Sequence, residues 1–524
     1  MTRKLAGPLL ALSALALAAP AAGAVEFTHG VQAGDIRSTS AILWARADRR
    51  ATVRLLVARD ARLRRGVRRY RLRARAKNDF TLRRTVRRLR PGRRYWFRFK
   101  RGSDRSRKGT FRTAPRRSRG GVIEFAWTGD TDFSPAPGAV RPYWNGGGIF
   151  RRMRAEDNDF NVHLGDTIYS DSEVPGVLRP IALSVTRKWR KYQVNLANGP
   201  LSALRRSAGL YSHWDDHEFV NDFTRAESSF SNGVVVDAER LYRRGVRAFL
   251  DYSPVRYTRR DGIYRRIRWG RNLELFFLDQ RSFRSAKASA GGACDNPRTG
   301  APDLAPTGPQ STRDIFGAAV PSSGLSQPVA AACLRRIRDP ERSFLGTRQY
   351  RRFTRAIERS TARWKVVVNE LPIQQFYGLP YDRWEGYEAE RRRLLRFLRA
   401  NVKNVIFLST DVHATFVNDA RLRTLEPGGP RNTGIWDFSV GPAATAAFGL
   451  ELDEIVGRPG TAALITGFFF RPQPPTGVGM RCAVVDRFSY GQVRVARNSL
   501  TVTAKGKDGR QLADCPPLVL RHQP

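Results

Sequence analysis

Five clusters of Asp, Asn, His and Tyr follow short apolar or aromatic runs, and together these residue types could hold metal ions. Gly129-Asp130-Thr131-Asp132 follows residues 122–127, and Gly165-Asp166-Thr167-Ile168-Tyr169 follows residues 160–164. Trp214-Asp215-Asp216-His217-Glu218, Asn369-Glu370 and Asp411-Val412-His413 complete the set, the last two after residues 364–368 and 405–408. The carboxyl end of a buried strand is where α/β sheets place their ligands. Gly165 lets the backbone turn sharply there, Asp166 offers two hard oxygens, and Tyr169 could add a phenolate. Taken singly, each cluster reads equally well as a turn aspartate, a helix cap or a satisfied core histidine. Their joint occurrence counts against that reading, because gathered carboxylates are costly unless a cation neutralises them or protons bind. Asp, Tyr, Asn and His form a coherent donor set for two metal ions sharing one carboxylate. Two of the six histidines, His217 and His413, fall inside the clusters.

The elements that must position these groups are strands alternating with helices from residue 122 onward, the mark of an α/β domain. Apolar runs at 122–127, 160–164, 273–278, 364–368 and 405–408 read as buried strands. Helices are expected from 149–155, 238–250, 347–360 and 388–400, and a terminal hairpin from 493–495 and 500–504. Residues 25–115 are different: short strand-like runs separated by turn and charge clusters suit a small all-β sandwich. Residues 116–524 are assigned to the catalytic domain, with a Gly/Ala/Pro/Ser-rich surface insertion at about 285–340. Residues 1–24 have the pattern of a cleaved signal peptide, with Arg3 and Lys4, a short apolar run and Ala22-Gly23-Ala24. No twin-arginine pair precedes the apolar run, which points to ordinary secretion to the exterior or cell surface.

The chain has 524 residues, enough for two or three domains, and its apolar fraction of 41% excludes a disordered protein. No later stretch reads as a transmembrane helix. The four cysteines suit an exported protein, with Cys294–Cys333 and Cys482–Cys515 the simplest of three connectivities. None has a Cys-x-x-Cys zinc spacing. The net charge of +46 has two readings, a compositional bias toward arginine or contact with a polyanion such as a wall polymer, and either would attract phosphorylated substrates.

The motifs resemble the PhoD-type alkaline phosphatases/phosphodiesterases of the calcineurin-like metallophosphatase superfamily, over nearly all the mature chain. Thr28-His29-Gly30-Val31-Gln32-Ala33-Gly34-Asp35 and Phe111-Arg112-Thr113-Ala114-Pro115 match the family's N-terminal part. Gly165-Asp166-x-x-Tyr169, Trp214-Asp215-Asp216-His217-Glu218, Leu278-Asp279-x-Arg281 and Asp411-Val412-His413 match its catalytic part in order. The resemblance implies an α/β fold, a metallophosphatase β-sandwich core flanked by helices, preceded by a small fibronectin-like β domain. It implies that Asp166 bridges two metals, with Asp130, Tyr169 and His413 on the first and Asp216, Asn369 and Asp411 on the second. A tyrosinate favours Fe³⁺ at the first site. Oxygen donors favour Ca²⁺, or Mg²⁺ or Mn²⁺, at the second. His217 falls at the catalytic histidine and Arg281 is a candidate for holding phosphate. The first motif lacks the cysteine common in the family, so Asp132 becomes a further candidate ligand. The implied activity is metal-dependent hydrolysis of phosphomonoesters and phosphodiesters, on small phosphate esters or anionic polymers, with no obligate protein partner. The alternatives are a dedicated phosphodiesterase or phospholipase D-like enzyme on wall teichoic acid, lipid or nucleic acid, and an inactive basic surface-binding protein.

Overall fold

The structure is a computed structural model that describes residues 23–177, 180–231 and 234–524. Most of the expected leader therefore lies outside the described residues. Residues 31–112 form two small antiparallel sheets. One orders Val31–Gly34, Ala41–Arg46 and Thr81–Val86, and the other is built around Ala51–Ala58, Arg68–Ala74 and Arg94–Arg101. Strand periodicity explains the arginine density here. In Ala51–Ala58, Val53, Leu55 and Val57 are buried while Thr52 and Arg54 are exposed, the alternation of a sheet with one wet face.

Two larger sheets make the rest. The first orders Gly209–His213, Phe160–Leu164, Ile123–Thr128, Ser489–Val495, Ser499–Gly506 and Leu518–Arg521. The second orders Arg265–Trp269, Leu273–Phe277, Trp364–Val368, Val405–Ser409, Asn432–Ser439, Thr415–Arg421 and Cys482–Val484. Strands are parallel within the 123–128, 160–164 and 209–213 group, and within the 273–277, 364–368, 405–409 and 432–439 group. Most positions of these parallel strands are buried, as in a sheet covered on both faces, and 364–368 and 405–409 are mainly apolar for that reason. The sheets share one core, with Phe125, Trp127, Val162 and Leu164 from the first and Leu275, Val366, Val368 and Leu408 from the second. On the outer faces, Ala238–Tyr252 packs with Val185–Ala197 over the first sheet, and Thr347–Glu358 with Glu388–Asn401 over the second. The fold is the expected α/β sandwich flanked by helices, preceded by an all-β unit.

That unit is clamped to the rest. Asp79 takes Arg46 at 2.9 Å and accepts from Gln193 Nε2 at 2.7 Å and from Tyr252 Oη. Trp44 Nε1 donates to the Asp251 carbonyl at 2.8 Å, and Asp35 pairs with Arg265 at 2.8 Å. Both expected disulfides, Cys294–Cys333 and Cys482–Cys515, are formed. The insertion carries more structure than its composition suggested. It contains helices Gln310–Ala319 and Ala331–Arg338, and buried Arg313 grips Asp303 through two nitrogens at 2.6 and 2.9 Å. No helix among the described residues is long and apolar enough to cross a membrane.

Candidate metal centre

The parallel strands of both sheets end side by side, and the loops that follow them meet. Thr410 Oγ1 donates to the Leu164 carbonyl at 2.5 Å, and Trp127 Nε1 to the Ser409 carbonyl at 3.1 Å. A Cβ on Gly129 would lie 2.8 Å from Thr410 Oγ1 and 2.9 Å from the Leu164 carbonyl. One on Gly165, at φ +89°, would lie 2.6 Å from Asp215 Cβ. The glycines preceding Asp130 and Asp166 therefore exist so that four chain segments can touch. Asp130, Asp166, Asp411 and His413 all have φ between +46° and +68°, a region uncommon for residues with a side chain. Four such residues at one seam place the backbone cost where side chains must converge.

Converge they do. Asp130, Asp166 and His413 bring one ligand atom each to within 4.8 Å of one another, and so do Asp166, Asp216 and His217, and Asp215, Asp216 and Asp411. Asp166 links the first two groups, and Asp216 the second and third. Tyr169 Oη lies 2.8 Å from His413 Nε2, so the phenol belongs to the Asp130 side. Asp130, Asp166, Tyr169, Asp216, His217 and His413 are all buried. Asp130 Oδ2, Asp215 Oδ2 and Asp216 Oδ1 are buried and have no hydrogen-bond partner. Burial pushes the Asp130 carboxyl up to about 7, and burial together with Asp216 pushes Asp166 well above the carboxylate range. Unpartnered carboxylate oxygens under that desolvation are what a bound cation relieves, so the residues fit a metal pair.

The imidazoles are held by acids that the motifs did not mark. His217 donates from Nδ1 to Asp171 at 2.8 Å, and its Nε2 lies 3.6 Å from Glu173. Burial opposes its charge, but Asp171, Asp216 and Asp166 more than reverse this and raise the imidazole well above its ordinary value. His413 Nδ1 is paired with Glu451 on helix Phe448–Val456. Against burial, Glu451 raises that imidazole to about 10. Glu218 braces the centre without facing it, accepting from Thr167 N at 2.6 Å and Asp215 N at 2.7 Å. That bond pair ties the loop of Asp166 to the loop of Asp215 and Asp216. Asp171 and Glu173 could have been read from the acid density of Asp166-Thr167-Ile168-Tyr169-Ser170-Asp171-Ser172-Glu173. Glu451 gave no such signal.

Three expected site residues sit differently. Arg281 is fully buried and spent on carboxylates: Asp215, Asp382 at 2.6 Å, Asp411 at 3.0 Å and Asp216 at 3.5 Å. It offsets the negative charge of the second group and presents no guanidinium edge to a phosphate. Asp132 accepts from Ser134 N at 2.9 Å and from Ser172 Oγ, and it joins none of the ligand groups among the described residues. It caps the loop after the first strand. Asn369 donates to the Leu371 carbonyl and accepts from Gln280 Nε2, so its amide knits neighbouring loops together.

Comparison with known proteins gives the family and the fold. The family model described as "PhoD-like phosphatase" matches residues 139–467, and "PhoD-like phosphatase, N-terminal domain" matches residues 13–115. Alkaline phosphatase D of Bacillus subtilis is 24% identical over 438 residues, covering 77% of this chain and 67% of that protein. The structure titled "Structure of PhoD" superposes with a TM-score of 0.72 at 18% identity, covering 96% of this chain and 92% of its own. A purple acid phosphatase from yellow lupin (Lupinus luteus) seeds superposes at 0.57 and 10% identity, covering 95% of this chain and 74% of its own. Centre, fold and family match together make this chain a member of the PhoD-like phosphatase family, and it is a phosphatase.

Proposed function

We propose that the chain is an exported enzyme that hydrolyses phosphomonoesters and phosphodiesters at a two-metal centre. The observation that carries this is Asp166, buried at the junction of two ligand groups and reachable from both. Asp130, Tyr169 and His413 would hold the first metal, with Fe³⁺ matched to the phenolate. Asp216 and Asp411 would hold the second, where an all-oxygen set suits Ca²⁺, Mg²⁺ or Mn²⁺. When bound, such ions polarise phosphoryl oxygens and supply a hydroxide near neutral pH.

The chain's own residues do the rest. Asp171 fixes the His217 ring through Nδ1 and keeps it charged, which leaves Nε2–H to donate to the leaving ester oxygen. Tyr169 stacks on that ring at 4.0 Å between centroids and limits its tilt. Glu451 orients His413, as a carboxylate behind a ligating imidazole does. Arg281 holds Asp215, Asp216 and Asp411 together against their mutual repulsion. The same reading divides the chain into a cleaved leader at 1–24, a β domain at 25–115 and a catalytic domain at 116–524. Two disulfides suit an enzyme working outside the reducing cytoplasm.

The test is turnover of p-nitrophenyl phosphate and bis-p-nitrophenyl phosphate by the mature protein supplied with Fe³⁺ and Ca²⁺. Hydrolysis of both, lost in Asp166→Asn, is expected. No turnover of either, with Mn²⁺ or Zn²⁺ also tried, sinks the proposal. If iron sits beside Tyr169, a visible absorption band of the isolated protein disappears in Tyr169→Phe.

A further inference from the structure

An apolar cavity of about 160 Å³ reaches the loop that carries Asp411 and His413. Val412, the residue between Asp411 and His413, is part of its wall. Helix Phe448–Val456 serves both places. Its Glu451 holds His413, while Leu452 and Val456 line the cavity. The opposite wall comes from the insertion, through Phe316, Val320 and Leu325. The cavity is therefore the place where the insertion meets the loop that carries two candidate ligands. Dry apolar cavities of about this size accept a benzene-sized guest.

The surroundings have an unusual character for this chain. Residues 448–470 contain one arginine, Arg458, against Glu451, Asp453 and Glu454, in a protein of net charge +46. Large apolar side chains stand in water nearby. Ile455 in the wall is 59% exposed, Ile315 on helix Gln310–Ala319 70%, and Phe468 in the helical turn Thr466–Phe470 71%. The insertion is stiffened behind it by Cys294–Cys333 and by the Arg313–Asp303 pair, so the wall is preformed.

We propose that this cavity receives the hydrocarbon substituent of a phosphoester whose phosphate lies at the metal centre, so that amphiphilic esters are preferred substrates. The assignment rests on the phosphoesterase reading above and specifies its substrate class. The insertion then has a role, as the outer wall of a substrate subsite.

A series of p-nitrophenyl phosphodiesters carrying methyl, butyl or hexyl groups tests this, alongside p-nitrophenyl phosphate. In the wild type, kcat/KM should rise by about tenfold or more from methyl to hexyl, the direction set by the free energy of burying methylenes. Val320→Trp and Val456→Trp each fill the cavity from one wall. Both should abolish the gain with chain length while leaving p-nitrophenyl phosphate hydrolysis within about twofold, since neither residue touches the centre. No gain in the wild type, or an undiminished gain in both variants, overturns the proposal. An uncharged fluorescent probe, N-phenyl-1-naphthylamine, gives a readout free of catalysis. It should bind the wild type, be displaced by hexanol, and fail to bind either variant. Absence of probe binding to the wild type also overturns the proposal. Probe binding without hydrolysis of any ester would instead remove the phosphoesterase reading, and the substrate assignment with it.

Discussion

His217 is the residue whose surroundings say most about the chemistry. A protonated imidazole fixed by Asp171 should matter most when the leaving group needs a proton. His217→Ala should lower kcat by about 10²–10⁴-fold, with a larger loss for phenyl phosphate than for p-nitrophenyl phosphate. Equal losses for the two esters would place His217 on the phosphate rather than on the leaving oxygen. Glu451→Gln should weaken metal retention or activity by about 10–100-fold, measured by metal content after dialysis together with kcat, without a matching fall in thermal stability. These residues also show the reach of sequence reading. Asp130, Asp166, Tyr169, His217 and His413 were legible because each follows an apolar run at a fixed offset. Glu451 was not, because a lone glutamate on an amphipathic helix acquires its role only when that helix folds over His413. The surroundings of Arg281 were hidden for a related reason: its four carboxylate partners come from three separate loops.

At the scale of elements, the centre depends on how closely strand ends can approach. Gly165→Ala would force a Cβ against Asp215 from a backbone held at φ +89°. The conformation alone costs about 1–2 kcal/mol in an L-residue, and the clash adds to it. The expected outcome is a lower denaturation midpoint with kcat falling further than stability does, because Asp166 and Asp215 move together. An unchanged kcat in the folded variant would mean that the close approach is not needed for alignment. Strands Ile123–Thr128, Phe160–Leu164, Leu273–Phe277, Trp364–Val368 and Val405–Ser409 were readable from their apolar runs, whereas Gly209–His213 and Arg265–Trp269 were not. Nor were strands Thr415–Arg421 and Asn432–Ser439, because Asn418, Asp419 and Asp437 interrupt their apolar pattern. Buried Asp437 is accommodated by the backbone N–H groups of Ile373 and Gln374, at 2.9 and 3.0 Å. That pairing is visible only across the fold.

For the whole molecule, Asp79 joins the N-terminal sheets to the catalytic unit. Burial would raise its carboxyl, but Arg46, Tyr252 and Gln193 reverse this and hold it below the usual value. Its contribution is therefore complete above the unfolded carboxylate pKa of about 4 and is lost as pH falls through the lower folded value. Asp79→Asn should cost about 3 kcal/mol at pH 7 by leaving Arg46 unpaired. Thermal scans of the two proteins should converge in strong acid, and a constant gap down to pH 2 would contradict the assignment. The positive charge has a location as well as a total. A surface recess of about 1060 Å³ is lined by Arg37, Arg256, Arg351, Arg355 and Arg359, with Asp261 and Glu274 the carboxylates in its wall. Retention on a polyphosphate column should fall steeply with salt, and charge-reversal at Arg351 and Arg355 should weaken it. Retention insensitive to those changes would leave the charge as compositional bias.

The seam between the sheets has a further consequence for how the polypeptide can be divided. The ligands up to His217 precede the insertion, Asp411 and His413 follow it, and Cys294 and Cys333 flank an exposed bend at residues 297–300. Cutting the backbone at that bend, through an engineered protease site, would yield two chains still joined by sulfur. Such a split enzyme should keep turning over until a reductant parts the halves, and the rate at which activity then decays would measure how long non-covalent packing alone keeps the two half-sites in register.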